Sequence, residues 1–309
     1  MSTSVESEAL ARGLEKQVRS YFHLLGEQQV LDTRVRFRVH WLAFDANGRD
    51  RTKALANHLY ARIIDFCIPR SRILEAQFLD RQEGGNAHLS MLQEEARTLF
   101  LNSTKSGEGG ELLLFFLLEA ELKLPQILCK MDLKTSPEMP IHGVDGVHAG
   151  WTDDGKVAVY WGESKLYEDA PAAMSACFKS IAPFLLDDGF GPARKDFLLV
   201  RDNLDAGERE ISLRLVKYFT DDEPERLDLE IRGACLVGFS HDSHVDPFEP
   251  DGETLLEEVS SQVDAWAAGV QTRVKNRKIS NFEIEFFCVP LPSAQRLRDA
   301  FNEKLGHAS

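Results

Sequence analysis

The sequence predicts an α/β fold in which a mixed β-sheet is flanked by helices. Some segments alternate polar with apolar residues, as strands with one buried face do, whereas others repeat apolar residues at helical spacing. The two kinds of segment alternate along the chain. With 309 residues, of which 43% are hydrophobic, the chain can bury a substantial core in one large domain or two modest ones.

The first 104 residues predict a smaller N-terminal α/β region that packs on the rest of the chain or on a partner. Residues 34–41 alternate polar and apolar side chains, which predicts a strand. Residues 52–67 repeat apolar side chains at helical spacing up to a nearby proline, and residues 86–101 predict another helix. Glycine and serine cluster over residues 103–110 and disfavour regular structure, so we place a boundary there.

Residues 105–309 predict the larger unit, and the same two patterns define its elements. In order, these are a helix over 111–124, a strand over 127–133, two strands over 142–148 and 157–165, a helix over 172–186, helical or mixed structure over 194–219, a strand over 227–239, a helix over 253–274, a strand over 282–290 and a helix from 293 onwards.

The two strands over 142–148 and 157–165 carry the candidate site. Successive side chains of a strand point to opposite faces, so Glu163 and Lys165 share one face while Ser164 points away. An acid and a lysine two residues apart on one face are therefore available to the same ligand.

The turn between these strands predicts where Asp145 lies. A three-residue loop at 153–155, closed by a glycine in the left-handed region, pairs Thr152 with Lys156. Counting outward from that pair sets Asp145 opposite Glu163, where facing Cβ atoms are ~4.5–5.5 Å apart. A two-residue loop would put Asp145 on the wrong face, so the hypothesis requires the longer loop.

These three residues suit phosphodiester hydrolysis. Two carboxylates, Asp145 and Glu163, can hold a divalent cation that neutralises phosphate charge and lowers the pKa of the attacking water. Lys165 can orient that water or stabilise the transition state. Because all the ligands are oxygen atoms, we expect Mg²⁺ or Mn²⁺.

Asp145, followed by Glu163-Ser164-Lys165 at the end of an apolar strand, resembles the bipartite signature of the PD-(D/E)XK nucleases. The resemblance implies a restriction-endonuclease-like core over 105–309 with a C-terminal α/β extension. It also implies a further metal-binding acid on the preceding helix, where Glu111 matches. Glu108 and Glu119 are alternatives to Glu111. Where the superfamily often has proline before the aspartate, this chain has Val144.

The segments 143–148 and 162–165, with the α/β region before them, resemble more closely the HamA family, a subunit of the Hachiman antiphage defence system. This likeness implies a DNA endonuclease that works beside a helicase subunit of the HamB kind. Two alternatives stay open. One is a non-catalytic adaptor of this fold that binds a helicase or nucleic acid; the other is RNA as the substrate, because nothing in the motif reads a 2′-hydroxyl.

Several other polar residues have ordinary structural explanations that we favour over a function. His148 falls on the face opposite the site, and a histidine-aspartate run at 241–246 has ligand types without further support. Ser175 and Lys179, four apart on the helix after the site, are most simply an ordinary polar helix face. Solvated charges are the favoured explanation for the basic groups: the strand residues Arg34, Arg36 and Arg38, and the cluster Arg273, Lys275, Arg277 and Lys278.

Composition limits the partners and the compartment. The formal charge of −14 is the wrong sign for a protein that coats nucleic acid, so any DNA contact is expected to be local and salt-sensitive. Five scattered cysteines without a CxxC pair suit the reducing cytoplasm. The acidic N-terminal residues do not resemble a secretory signal, and no apolar run reaches the ~20 residues that span a bilayer, so we expect no membrane segment.

Overall fold

The computed structural model describes residues 15–101, 107–133, 145–187, 192–207, 209–244 and 252–306, and the structural statements below refer to these ranges. The strands are β1 (Phe22–Gln29), β2 (Val35–Leu42), β3 (Gln126–Leu128), β4 (Gly146–Trp151), β5 (Val157–Tyr167), β6 (Leu229–Ser240) and β7 (Ile284–Leu291). The helices are α1 (Glu15–Tyr21), α2 (Thr52–Ala61), α3 (Ile63–Cys67), α4 (Arg70–Glu83), α5 (Ala87–Leu101), α6 (Glu108–Ala120), α7 (Lys130–Leu133), α8 (Ala170–Leu185), α9 (Pro192–Asn203), α10 (Arg209–Tyr218), α11 (Gly252–Asn276) and α12 (Ala294–Leu305).

Within the described ranges, seven strands form one sheet in the order β1-β2-β7-β6-β5-β4-β3. The central strands β2, β7, β6 and β5 run parallel, whereas β1, β4 and β3 are antiparallel to their neighbours. Helices cover both faces of the sheet. The predicted mixed sheet flanked by helices is confirmed, and the architecture is compatible with a restriction-endonuclease-like core.

The sheet is continuous across the boundary predicted from the sequence. β2 lies in the first 104 residues and pairs in parallel with β7 near the other end of the chain, with Val35 opposite Ile284. Residues 102–106, where the boundary itself falls, lie outside the described ranges. The division into two domains remains a prediction.

Two apolar cores lie on the two faces of the sheet. On one face, Trp161 of β5 packs with α8, α9 and α11. On the other face, Leu166 of β5 packs with α2, α6 and α12. Because side chains alternate along β5, residues with odd numbers around Glu163 face α8 and those with even numbers face α6. This alternation decides which helix lies behind each candidate residue.

Several elements differ from the prediction. The helix over 52–67 is two helices, because the backbone leaves the helical conformation at Arg62 (φ −102°, ψ 2°), although the apolar spacing continues through both. The strand predicted over 127–133 is shorter, because β3 ends at Leu128 and the short helix α7 follows it. β1 and α4 were not predicted. In β1 a register shift between Leu24 and Gly26 disrupts the alternation, and α4 has only three buried positions, so neither has a regular apolar pattern.

In the part of the chain that is described, no helix is both long and apolar enough to cross a membrane.

Candidate functional site

The β4–β5 hairpin has the predicted three-residue loop. The Thr152 amide donates to the Lys156 carbonyl at 2.9 Å, and the Gly155 amide donates back to the Thr152 carbonyl at 3.0 Å. Gly155 has φ 84°, in the left-handed region that glycine adopts without a steric penalty. From this turn the strands pair in the predicted register as far as Gly146, which lies opposite Gly162.

Asp145 lies at the point where β4 leaves β5. The paired segment ends at Gly146, one residue short of the predicted pair between Asp145 and Glu163. The Asp145 amide donates to the Gly162 carbonyl at 2.7 Å, and its carboxylate Oδ2 accepts from both the amide (2.7 Å) and the hydroxyl (2.8 Å) of Ser164. Asp145 is therefore held to β5 by both its amide and its carboxylate, just beyond the last residue pair of the two strands.

Glu163 is a buried acid, only 4% exposed. Burial raises its pKa to about 7, and the negative charge of Asp145 adds to that rise. Lys165 and a hydrogen bond from Ser180 act in the opposite direction. The charge of Asp145 thus acts on Glu163, and the sharing of one cation by the two carboxylates stays a prediction.

Lys165 shares the face of Glu163, as the strand period predicts. Its ammonium donates to Glu163 Oε1 and, at 3.1 Å, to the Ser164 carbonyl. Burial lowers the pKa of Lys165, but the charges of Glu163 and Asp145 and the hydrogen bond to Glu163 outweigh burial and raise it. Lys165 is therefore a fixed cation beside two carboxylates.

Helix α8 supplies two neighbours of Glu163 that sequence reasoning did not identify. The Cys177 thiol donates to the Glu163 carbonyl at 3.5 Å, and Ser180 lies near enough to the Glu163 side chain to lower its pKa. Cys177 and Ser180 are three residues apart, a helical spacing that places both on the side of α8 that meets β5. Polar residues three apart on the helix that follows the strand of Glu163 are the sequence signal by which Cys177 and Ser180 could have been identified.

Ser175, by contrast, belongs to the packing of α8 against α11. Its hydroxyl donates to the Pro171 carbonyl at 2.7 Å and accepts from Arg273 at 2.9 Å. Lys179 is exposed. As predicted, α8 starts with a proline in its first turn, and the Asp169 side chain caps it by accepting from the Ala172 amide at 2.8 Å.

The helix acids lie on α6, which packs on the face of the sheet opposite to Glu163. Glu111 is half-buried in the first turn, beside the buried Glu108. Glu119 is fully buried near the other end of α6 and accepts from the Gln126 amide at 3.1 Å. Of the predicted ligands, Asp145 lies near enough to Glu163 to raise its pKa, whereas Glu111 lies on α6, at the other face of the sheet.

Within the described ranges, no group of three or more histidine, cysteine, aspartate or glutamate residues is arranged to hold a metal ion. Two carboxylates still fit a magnesium site, because Mg²⁺ in proteins keeps several waters and is commonly held by one or two carboxylates together with substrate phosphates. The charge of Asp145 contributes to the raised pKa of Glu163, and a cation bound nearby would relieve that repulsion.

The remaining candidates have structural partners. His148 is buried, packs against Phe115, and its Nδ1 donates to the Leu124 carbonyl at 2.8 Å. His241 contacts Gln262. Residues 245 and 246 of the histidine-aspartate run lie outside the described ranges.

The predicted basic groups are divided between buried and exposed positions. Arg38 is buried among glutamates, and Lys275 pairs with Asp32 at 2.9 Å. Arg34 pairs with Glu283 and is more than half exposed. Arg277 and Lys278 are exposed and follow the last turn of α11.

Comparison with known proteins gives one assignment. The sequence model of the HamA family matches residues 19–305, which include every strand and all but the start of the first helix. A search of curated proteins finds no match.

Proposed function

Because the chain belongs to the HamA family, we propose that it is a divalent-metal-dependent DNA endonuclease that acts beside a helicase subunit of the HamB kind. Membership of this family suggests a role in Hachiman antiphage defence. The proposal adds the reaction, the metal and the partner to that role, and it places the protein in the cytoplasm, where its free cysteines stay reduced.

One observation supports the nuclease proposal above all others: Asp145, Glu163 and Lys165 meet where β4 leaves β5. Two carboxylates close enough to raise the pKa of one of them are unfavourable neighbours unless a cation lies nearby. Lys165, whose ammonium donates to Glu163, is one such cation. A structural surface acid-lysine pair would be solvated, whereas Glu163 is buried.

Each residue has a distinct task. Asp145 and Glu163 would hold Mg²⁺ or Mn²⁺ through oxygen atoms, and the bound ion would neutralise charge at the phosphate and lower the pKa of the attacking water. Lys165, on the same face as Glu163, orients that water and offsets the negative charge of the transition state. Glu111 remains a proposed additional ligand, which would have to reach the site from the α6 side of the sheet.

The helicase subunit accounts for how an acidic protein meets DNA. With a net charge of −14, the chain as a whole repels the DNA backbone. A partner that binds DNA by itself and presents a strand to the edge where β4 leaves β5 would remove the need for a large basic surface. We therefore expect cleavage by the isolated chain to be weaker, and more sensitive to salt, than cleavage in the complex.

The proposal is tested by incubating plasmid, single-stranded DNA and RNA with the chain, alone and with its helicase subunit, in Mg²⁺ or Mn²⁺. Glu163→Gln and Lys165→Met should each reduce cleavage by about 10²–10³-fold. Glu303→Gln, on the exposed side of α12, is the control and should cleave like the wild type.

Cleavage that survives both substitutions would show that the site is elsewhere. If no nucleic acid is cleaved under any condition while the helicase subunit still binds, the adaptor alternative is correct. Cleavage of RNA but not DNA would change the substrate and leave the site as proposed.

A further inference from the structure

The central residue of the Glu163-Ser164-Lys165 segment makes a contact that its side-chain direction alone does not predict. Ser164 has its side chain on the α6 face of β5, away from Glu163 and Lys165. Nevertheless, its amide and its hydroxyl both donate to Oδ2 of Asp145, at 2.7 and 2.8 Å. Ser164 is itself buried, with 6% exposure, so these two bonds are sheltered from water.

The hydrogen bond from the Ser164 amide to Asp145 forms because the strand pairing ends just before it. In the β4–β5 ladder every second residue of β5 exchanges hydrogen bonds with β4, and Lys156 and Gly162 belong to that series. Ser164 is the next member, but β4 stops pairing at Gly146. The Asp145 side chain then accepts from the amide that the ladder would otherwise have satisfied, because a buried amide without an acceptor is costly.

The hydrogen bond from the Ser164 hydroxyl to Asp145 depends on helix α6. A Cβ atom built on Gly110 would lie 3.2 Å from Ser164 Oγ and 3.1 Å from Leu166 Cγ. Glycine at this position therefore lets the first turn of α6 approach β5 while the Ser164 hydroxyl keeps its direction toward Asp145. Gly110 thus leaves room for the hydroxyl that donates to Asp145.

We infer that Ser164 is a positioning residue, which fixes the Asp145 carboxylate through Oδ2 and thereby directs Oδ1 to a divalent cation. Both hydrogen bonds that the described residues make to this carboxylate are on Oδ2, so Oδ1 remains available to a ligand. A carboxylate held by two donors has less rotational freedom to lose when it binds a cation. This inference rests on the proposed metal-dependent function.

The test uses two isosteric substitutions, Ser164→Thr and Ser164→Val. Both add the same branching, which a strand accepts, and both meet Gly110 in the same way, but only threonine retains the hydroxyl. Mn²⁺ binding is measured directly, by calorimetry or by the loss of the free-ion paramagnetic resonance signal. Ser164→Val should bind Mn²⁺ about tenfold more weakly than Ser164→Thr, because hydrogen bonds to metal ligands typically contribute 10–100-fold to affinity.

Gly110→Ala is a second variant that leaves Ser164 unchanged. Its methyl group presses on the serine hydroxyl and should also weaken Mn²⁺ binding, whereas Gly109→Ala, whose Cβ would lie 3.7 Å from Phe301, should not. Cleavage at saturating Mn²⁺ should recover most of its rate in Ser164→Val, since the substitution changes metal affinity rather than Lys165.

Equal Mn²⁺ affinity in Ser164→Thr and Ser164→Val, with binding lost in Glu163→Gln, would overturn the positioning role and leave the proposed metal site intact. If the wild-type chain binds no Mn²⁺ and cleaves nothing with its helicase subunit, the proposed function fails and the positioning role fails with it.

Discussion

Lys165 donates to Glu163 Oε1 on the α8 side of β5, so the lysine and one of the acids of the candidate site form an ion pair. Substituting Glu163 would remove both metal binding and catalysis, whereas substituting Lys165 should affect catalysis alone. Glu163 is a proposed ligand, whereas Lys165 acts on the water and the transition state. Metal binding and catalysis should therefore respond differently to their loss.

We predict that Lys165→Met retains Mn²⁺ affinity to within about threefold while cleavage falls by about 10²-fold or more. Loss of the lysine removes a charge that competes with the metal for Glu163, so affinity should not fall. Glu163→Gln should lose both properties, because it removes a ligand. Calorimetric Mn²⁺ titration and plasmid cleavage on the same preparations measure the two effects, and a large drop in Mn²⁺ affinity for Lys165→Met would contradict the assignment of roles.

Arg38 offers a test of the fold that does not depend on the site. Its side chain is 4% exposed and contacts three glutamates: Glu27 at 3.0 Å, Glu121 at 3.4 Å, and Glu285. Arg38→Met would leave these acids without their shared cation and should cost about 3–5 kcal/mol in the free energy of unfolding.

Arg36→Met is the matched control, because Arg36 lies two residues away on the same face of β2. Its side chain is 60% exposed, and its ion pair with Glu27 is long, at 4.0 Å. It should cost less than about 1 kcal/mol. Urea unfolding of the two variants decides the matter, and similar losses in both would show that Arg38 is not held as described.

His244 predicts a pH dependence of stability. Its imidazole stacks on Trp41, with ring centroids 3.7 Å apart. Burial, and to a smaller extent the nearby His241, lowers the pKa of His244 from 6.5 to about 3, while Asp50 opposes the change. The unfolded chain therefore binds a proton at a higher pH than the folded chain, so this contribution to stability is present above pH 6.5 and is lost as the pH falls toward 3.

In His244→Phe, which can still stack on Trp41, that loss should disappear. Between pH 7 and pH 5 the wild type should lose about 1–2 kcal/mol more stability than the variant, as measured by urea unfolding at each pH. His23→Phe, at an exposed position of β1, should follow the wild-type profile. Parallel pH profiles for the wild type and His244→Phe would refute the buried, neutral imidazole.

Gly155 tests the turn from which the position of Asp145 was predicted. Its φ of 84° is unfavourable for a residue with a Cβ atom, so Gly155→Ala should cost about 1–2 kcal/mol. Gly85→Ala, where an added Cβ meets nothing within 4 Å and φ is not left-handed, should be nearly neutral. A thermal melt compares the two, and a neutral Gly155→Ala would mean that the loop has another conformation.

Local patterns were sufficient to predict much of the candidate site. Alternation along β5 put Glu163 and Lys165 on one face, and the length of the turn set the register as far as Gly146. Both results depend only on the geometry of neighbouring residues: the two-residue period of a strand and the left-handed conformation available to glycine. The helices after Asp169 and before the last strand were predictable for the same reason.

The tertiary structure decided the rest. That Ser180 and Cys177 lie behind Glu163, that Ser164 holds Asp145, and that Gly110 makes room for this contact all depend on how α8 and α6 dock on opposite faces of the sheet. The pairing of β2 with β7 likewise joins distant parts of the chain. Sequence periodicity tells which side of an element is apolar, but the partner that covers it is selected by the packing of the whole core, to which residues far apart in the chain contribute together.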